Sequence, residues 1–235
     1  MAVSAREPVR DAEINVVGSL HVLNAAVEHR VKHVVFASTG GAIYGEVPDG
    51  KRASLDWAPR PLSPYACSKF AIENYLVAYG HAHGLRSTVL RYANVYGPRQ
   101  DPHGEAGVVA IFSQRLLSGE PIQVNARHTE GDDGCVRDYV YVDDVVRANM
   151  MALSDKLSVP MINVCTGEGT STRELAHVMK ELCKSQSEIR SGGRREGDVE
   201  RSVLDVGREA PLGELVSLRD GLQKTIAWFV ERQNR

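Results

Sequence analysis

The sequence predicts an α/β chain built on a doubly wound parallel sheet, followed by a smaller α/β region. Three observations carry this. Over the first 92 residues the segments run helix, strand, helix, strand, the rhythm of right-handed crossovers over a parallel sheet. The strand segments are short runs rich in β-branched residues, as buried strands are. After Gly97-Pro98 the composition shifts to polar loops and shorter elements.

Each element follows from a local pattern. Residues 11–29 carry Val16, Leu20, Leu23 and Val27 at the 4-3-4 spacing of an amphipathic helix. Val31 to Ala37 reads as a buried strand ending in Ser38-Thr39-Gly40-Gly41, and a polar loop with Gly and Pro fills 45–64. Tyr65 to His83 reads as a second helix closed by Gly84, and Ser87 to Tyr92 as the next strand. Beyond the polar loop at 101–107 lies a helix, Val108 to Leu117, stopped by Gly119. Ile122 to Val124 and Tyr139 to Val142 read as short strands flanking a charged loop. A helix from about Asp143 and a strand at Met161 to Val164 follow. Ser171 to Glu174 fits a capping box, so a helix starts there. Ser217 caps a last helix whose Leu222, Ile226 and Phe229 form one apolar stripe.

Bulk properties exclude several classes of function. The 235 residues are 43% hydrophobic and 25% charged, with a formal net charge of −2, as in an ordinary globular protein. Scattered Lys and Arg argue against nucleic acid or an anionic membrane as partner. Cys67, Cys135, Cys165 and Cys183 form no C-x-x-C pair and read as reduced thiols, and no metal site is indicated. There is no apolar run long enough for a membrane span and no signal-peptide core, so a cytoplasmic protein is expected.

Tyr65 and Lys69 stand four residues apart, which on a helix puts both side chains on one face. An ammonium beside a phenol favours the phenolate, so the pair can supply a base. Y-x-x-x-K recurs by chance in helix-rich chains, and its flanks give it meaning. The strand before it ends in Ser38-Thr39 and the strand after it leads into Asn94. Both therefore deliver polar groups to the carboxyl edge of a parallel sheet, where open α/β folds bind ligands.

FASTGGAIYG at 36–45, SPYACSK at 63–69 and LRYANVYGPRQ at 90–100 together resemble the extended short-chain dehydrogenase/reductase superfamily, within it the NAD-dependent epimerases and dehydratases. DPHGEAG at 101–107, VRDYVYVDD at 136–144 and RREGD at 194–198 extend the likeness, which is greatest to UDP-glucose 4-epimerases. The resemblance implies a partial Rossmann-like domain at 1–100 and a mainly substrate-binding region at 101–235, with 139–165 returning to the first sheet. It implies NAD as cofactor and a UDP-sugar as substrate. Tyr65 would take the proton of the sugar 4-hydroxyl, Lys69 would hold the nicotinamide ribose, and Thr39 would hydrogen-bond the reacting hydroxyl. Hydride would leave sugar C4 and return to its other face. Ser38, Tyr65, Lys69 and Tyr92 fall at cofactor positions. Thr39, Asn94, Val108, Arg137, Arg195 and Asp198 fall at substrate positions, with the arginine forks suited to phosphate oxygens. Helices 11–29 and 65–83 would pair in a homodimer.

Three features matter. Dehydratases of the superfamily carry an Asp-Glu pair after the equivalent threonine, whereas this chain has Gly40-Gly41, which favours epimerisation. Ser202 lies near the position that shapes the sugar pocket, and a small residue there leaves room for an N-acetylated sugar. The family's G-x-x-G-x-x-G loop has no counterpart before Tyr65. Alignment by motif predicts that roughly the first 70–80 residues of a family member lie outside this chain. A truncated, inactive epimerase is then the leading expectation. Another nucleotide-sugar epimerase or dehydratase, and a non-catalytic dimerising pseudoenzyme, are the alternatives.

Overall fold

The computed structural model describes residues 2–103, 107–154, 156–157, 159–195, 197–207 and 212–233. It is a mixed α/β structure with parallel sheets. Strand β1 (His33–Thr39) pairs in parallel with β2 (Arg86–Tyr92) from His33↔Arg86 to Thr39↔Tyr92. The strand at Met161–Val164, β6, extends this sheet on the far side of β2, with Arg91↔Asn163 in register. Side chains alternate across the sheet as a pleat requires. Val34, Phe36 and Val89 face a cluster with Leu23, Ala26, Ile72 and Leu76, while Val35, Leu90 and Ile162 face the opposite cluster with Val145, Ala148 and Ala152. The sheet is thus covered on both faces, and its apolar strand runs follow from that.

The helix covering the first face begins earlier than the periodicity indicates. Helix α1 (Ala2–Arg6) is followed by α2 (Pro8–Ala12), a π-helical turn at Glu13–Val17, and α3 (Gly18–Glu28). Pro8 opens α2, where its missing N–H costs nothing. In the π turn, Asn15 Nδ2 donates to Asp11 O and Ser19 Oγ donates to Asn15 O, so side chains compete for backbone acceptors. A four-residue helix, α4 (Gly40–Ile43), follows β1 directly, where the sequence reading had only the strand's polar end. Helix α5 (Pro64–His83) matches its pattern: Ser63 Oγ accepts from Ala66 N at 3.2 Å, and Gly84 ends it at φ 68°.

The second region holds strands too short to be predicted. After β2 the chain continues as β3 (Asn94–Tyr96), which pairs in parallel with β5 (Val136–Tyr141). Strands β7 (Gly169–Ser171) and β9 (Arg201–Ser202) flank β5. The strands β4 (Ile122–Asn125) and β8 (Ile189–Gly192) form a separate parallel pair. Of residues 139–165, Met161–Val164 join the first sheet, whereas Tyr139–Tyr141 pair with Asn94–Tyr96 in the second. Helix α6 (Val108–Leu117) packs with α8 (Thr172–Leu182) and α9 (Leu218–Gln233) around Phe112, Leu116, Leu175, Met179 and Leu222. Helix α7 (Val142–Leu153) lies on the first sheet. Both predicted caps form, with Ser171 Oγ accepting from Glu174 N and Ser217 Oγ from Asp220 N. Of the polar loop at 101–107, residues 104–106 lie outside the described residues.

Candidate active site

The carboxyl ends of β1 and β2 and the first turns of α5 and α6 converge on one cavity of about 340 Å³. Thr39, Tyr65, Asn94, Val108 and Arg137 all line it, so five of the residues singled out in the sequence meet in one place. They arrive from four elements and the end of β1, which is how a parallel sheet assembles a site at its carboxyl edge. Gly41 also lines it, and a Cβ there would stand 2.9 Å from Asn94 Oδ1. The close approach of Asn94 therefore depends on glycine at 41.

Lys69 sits one helical turn beyond Tyr65. Its Nζ donates to Ala37 O at 3.1 Å and stands 5.9 Å from the centre of the Tyr65 ring. Burial, and after it the Asp11 carboxylate, push the Tyr65 phenol above its ordinary value. Burial pushes the Lys69 ammonium down, and Asp11 opposes that shift. Before any ligand arrives, the protein thus holds Tyr65 as a phenol.

The other sequence-derived residues lie apart from this cavity. Ser38 is buried and its Oγ donates to Glu73 Oε1 at 2.5 Å, so the hydroxyl is committed inside the fold. Tyr92 OH exchanges hydrogen bonds with the Asn149 amide on α7. Arg195 is exposed and Asp198 half-buried on the segment between β8 and β9, where Asp198 N donates to Arg195 O; residue 196 of that motif lies outside the described residues. Ser202 is buried in β9, in register with Arg137.

Sequence reasoning missed a second cavity, of about 750 Å³, on the other side of Tyr65. Ser4, Asp11 and Asn15 line it with Val3 and Ile14, and Tyr65 belongs to both walls. Ser4 Oγ accepts from Tyr65 N at 3.0 Å, and Asp11 holds Ser68 Oγ at 2.7 Å and Asn15 Nδ2 at 3.1 Å. The i, i+4 pair Asp11 and Asn15 on a helix was the available signal. Gln100 was missed as well: it lines the first cavity, held by its Nε2 to Val95 O.

The sequence profile described as the NAD dependent epimerase/dehydratase family matches residues 1–165. The chain belongs to that family. A UDP-glucose 4-epimerase of Mycolicibacterium smegmatis is 42% identical over 229 residues, covering 96% of this chain and 71% of the relative. The UDP-glucose 4-epimerase of Thermus thermophilus, solved as a complex with NAD, is 51% identical with a TM-score of 0.92, over 97% of this chain and 73% of that one. A dTDP-glucose 4,6-dehydratase of Streptomyces venezuelae, solved with NAD, superposes with a TM-score of 0.88 at 29% identity, over 99% of this chain and 70% of that one. The family's cofactor is NAD, and the groups here suit its nicotinamide-ribose end, whereas Glu7 and Asp11 in the same wall do not suit its pyrophosphate. The second cavity mixes apolar walls with Asn15 and Ser4, meets Tyr65, and lies beside the Tyr65–Lys69 pair.

Proposed function

We propose that the protein is a nucleotide-sugar 4-epimerase that interconverts UDP-glucose and UDP-galactose. The observation that carries this reading is the position of Tyr65, which walls both the cavity of Thr39, Asn94 and Arg137 and the cavity of Asn15 and Ser4. A single phenol can therefore meet a sugar on one side and a cofactor on the other. NAD bound in the second cavity would supply reversible oxidation at the sugar carbon. Tyr65 takes the proton of the 4-hydroxyl, Thr39 orients that hydroxyl, and Lys69 holds the cofactor ribose with Tyr92 and Ser38 nearby in the fold. Asn94 and Arg137 bind the diphosphate together with the opening turn of α6 at Val108, a favourable place for phosphate. Arg195 and Asp198 complete the nucleotide subsite from the segment before β9.

The reaction type is supported by Gly40-Gly41. No acid stands at those positions to eliminate water, and the 2.9 Å approach of a Gly41 Cβ to Asn94 leaves no room for one without a shift. The relatives named UDP-glucose 4-epimerases favour glucose as the sugar. A second reading, an N-acetylated sugar, is favoured by Ser202, whose small side chain stands behind Gly41, 3.9 Å from where an added Cβ would lie. We assign residues 1–100 mainly to cofactor binding and 101–235 mainly to substrate binding, with α7 packing on the first sheet and Met161–Val164 joining it. Free thiols at all four cysteines fit a cytoplasmic protein. A homodimer through the helices of residues 11–29 and 65–83 is its expected assembly.

The test is to incubate NAD and the protein, carried in a chain that also has the family's N-terminal glycine-rich segment, with UDP-glucose, UDP-GlcNAc or dTDP-glucose in separate reactions and follow the sugar anomeric protons by NMR. UDP-galactose forming from UDP-glucose is the expected result. A 4-keto-6-deoxy product would replace epimerisation by dehydration, and turnover of UDP-GlcNAc alone would replace the sugar.

A further inference from the structure

Glu73 lines neither cavity, yet both oxygens of its buried carboxylate are engaged. Oε1 accepts from Ser38 Oγ at 2.5 Å and from Arg91 Nε at 3.0 Å, while Oε2 accepts from Arg91 Nη2 at 2.5 Å. Arg91 Nη1 donates to the Tyr44 hydroxyl at 2.8 Å, and that hydroxyl donates to Asn163 Oδ1 at 2.9 Å. Ser38, Arg91 and Asn163 are register partners on β1, β2 and β6, so the network is a polar rung running straight across the sheet. The side chains of Glu73 and Arg91 are each 4% exposed.

A buried ion pair is a poor device for stability, because well-packed apolar residues of the same volume often serve as well or better. What it adds is direction. Tyr65, Lys69 and Glu73 are spaced by four along α5 and share one face. Three consecutive residues of β1 meet that face: Ala37 O accepts from Lys69 Nζ, Ser38 Oγ donates to Glu73, and Thr39 shares the cavity with Tyr65. Hydrogen bonds at Ser38 and a two-point guanidinium fork at Arg91 fix both the rotation of α5 and its position along its axis. Apolar packing would leave the helix free to settle by a fraction of an ångström.

We propose that Glu73, through Ser38 and Arg91, is the positioning residue that sets Tyr65 and Lys69 against Thr39. The inference rests on the epimerase reading of that site.

The experiment compares wild type with Glu73→Gln, with the paired swap Glu73→Met/Arg91→Leu, and with Ser38→Ala. The paired swap removes the charges together and is expected to unfold at the wild-type temperature or above it. Its kcat should nonetheless fall about 10- to 100-fold with KM within about twofold, the signature of misplaced reacting groups. Ser38→Ala, which leaves the ion pair intact, should lower kcat by about tenfold, the loss of one hydrogen bond to a carboxylate. Glu73→Gln should lower kcat at unchanged KM, and if it fails to fold, the other two variants decide. The readout independent of turnover is the Tyr65 resonance in protein labelled at the tyrosine ζ-carbon, assigned with Tyr65→Phe. It should titrate at a different pH in the paired swap, because Tyr65 no longer keeps its place relative to Lys69 and Asp11. A stable paired swap with wild-type kcat and wild-type Tyr65 titration overturns the proposal. If wild type turns over no nucleotide sugar, the epimerase reading fails, while the titration still decides whether the rung positions Tyr65.

Discussion

Tyr65 sits between two opposing electrostatic demands. A base working near neutrality needs its phenolate stabilised, yet burial and Asp11 both favour the neutral phenol. Positive charge beyond that of Lys69 is therefore needed, and an oxidised nicotinamide ring would bring it. In the cofactor-free protein Tyr65 should ionise above its ordinary value of 10.0, and saturation with NAD⁺ should move the transition down. Asp11→Asn removes a negative charge that disfavours the phenolate, so it should lower the Tyr65 transition and extend the acid limb of the kcat profile to lower pH. An unchanged or raised transition in Asp11→Asn would show that Asp11 does not act on Tyr65. Tyr65→Phe should cost about 10²- to 10⁴-fold in kcat, as loss of a general base does, with UDP binding by calorimetry little changed. The residues legible in the sequence were those in fixed local motifs: Tyr65 with Lys69, Thr39 after its strand, Asn94 and Arg137. Asp11 and Glu73 were not, because their meaning lies in partners far along the chain, Ser68 for one and Ser38 with Arg91 for the other. A carboxylate on an amphipathic helix is most often solvated, and the i, i+4 spacing of Asp11 and Asn15 points to a pair without marking it as buried.

Among the elements, α5 matters most, since its first two turns carry Tyr65 and Lys69. Its ends are set by local chemistry, Ser63 with Pro64 at the start and Gly84 in the left-handed region at the end. A Cβ at Gly84 would meet nothing within 4 Å, so Gly84→Ala tests backbone conformation alone. It should destabilise the protein by about 1 kcal/mol in a urea titration and leave kcat unchanged. Strand β5 depends on a different device. Asp138 is fully buried and accepts from Thr166 N, Thr166 Oγ1, Gly167 N and Leu204 N, tying β5 to two distant segments. An amide has one acceptor oxygen for those four donors, so Asp138→Asn should cost about 2–3 kcal/mol by the same titration. Long helices and the apolar strands β1, β2 and β6 were readable from periodicity and flanking glycines. Strands β3, β7 and β9 have two or three residues each, too few for any period to show, and they exist because β5 offers them partners.

At the scale of the whole molecule, the layered sheet was legible because its strands are apolar on both faces, which only a doubly covered sheet explains. The meeting of the two cavities at Tyr65 was not, because it arises only through tertiary packing. The same packing leaves an apolar surface that the monomer does not use. Helices α3 and α5 lie side by side on the first sheet around Leu23, Ala26, Ile72 and Leu76. On the outer side of this pair Val22 is 63% and Val77 74% exposed, with Val9, Ile14 and Val17 also exposed on the preceding turns. Burying an aliphatic side chain is worth about 1.5–3 kcal/mol. A two-fold axis running between two copies would bring α3 and α5 of each into a self-complementary four-helix contact. The protein should therefore run as a dimer in light scattering coupled to gel filtration. The double substitution Val22→Asp/Val77→Asp places four carboxylates in that contact and should yield a folded monomer. Val146→Asp serves as the control, since Val146 is also exposed but lies on α7, which packs with the opposite face of the sheet. It should leave the dimer intact. A dimer that survives Val22→Asp/Val77→Asp but dissociates with Val146→Asp would move the interface to α7, and a wild-type monomer would remove it altogether.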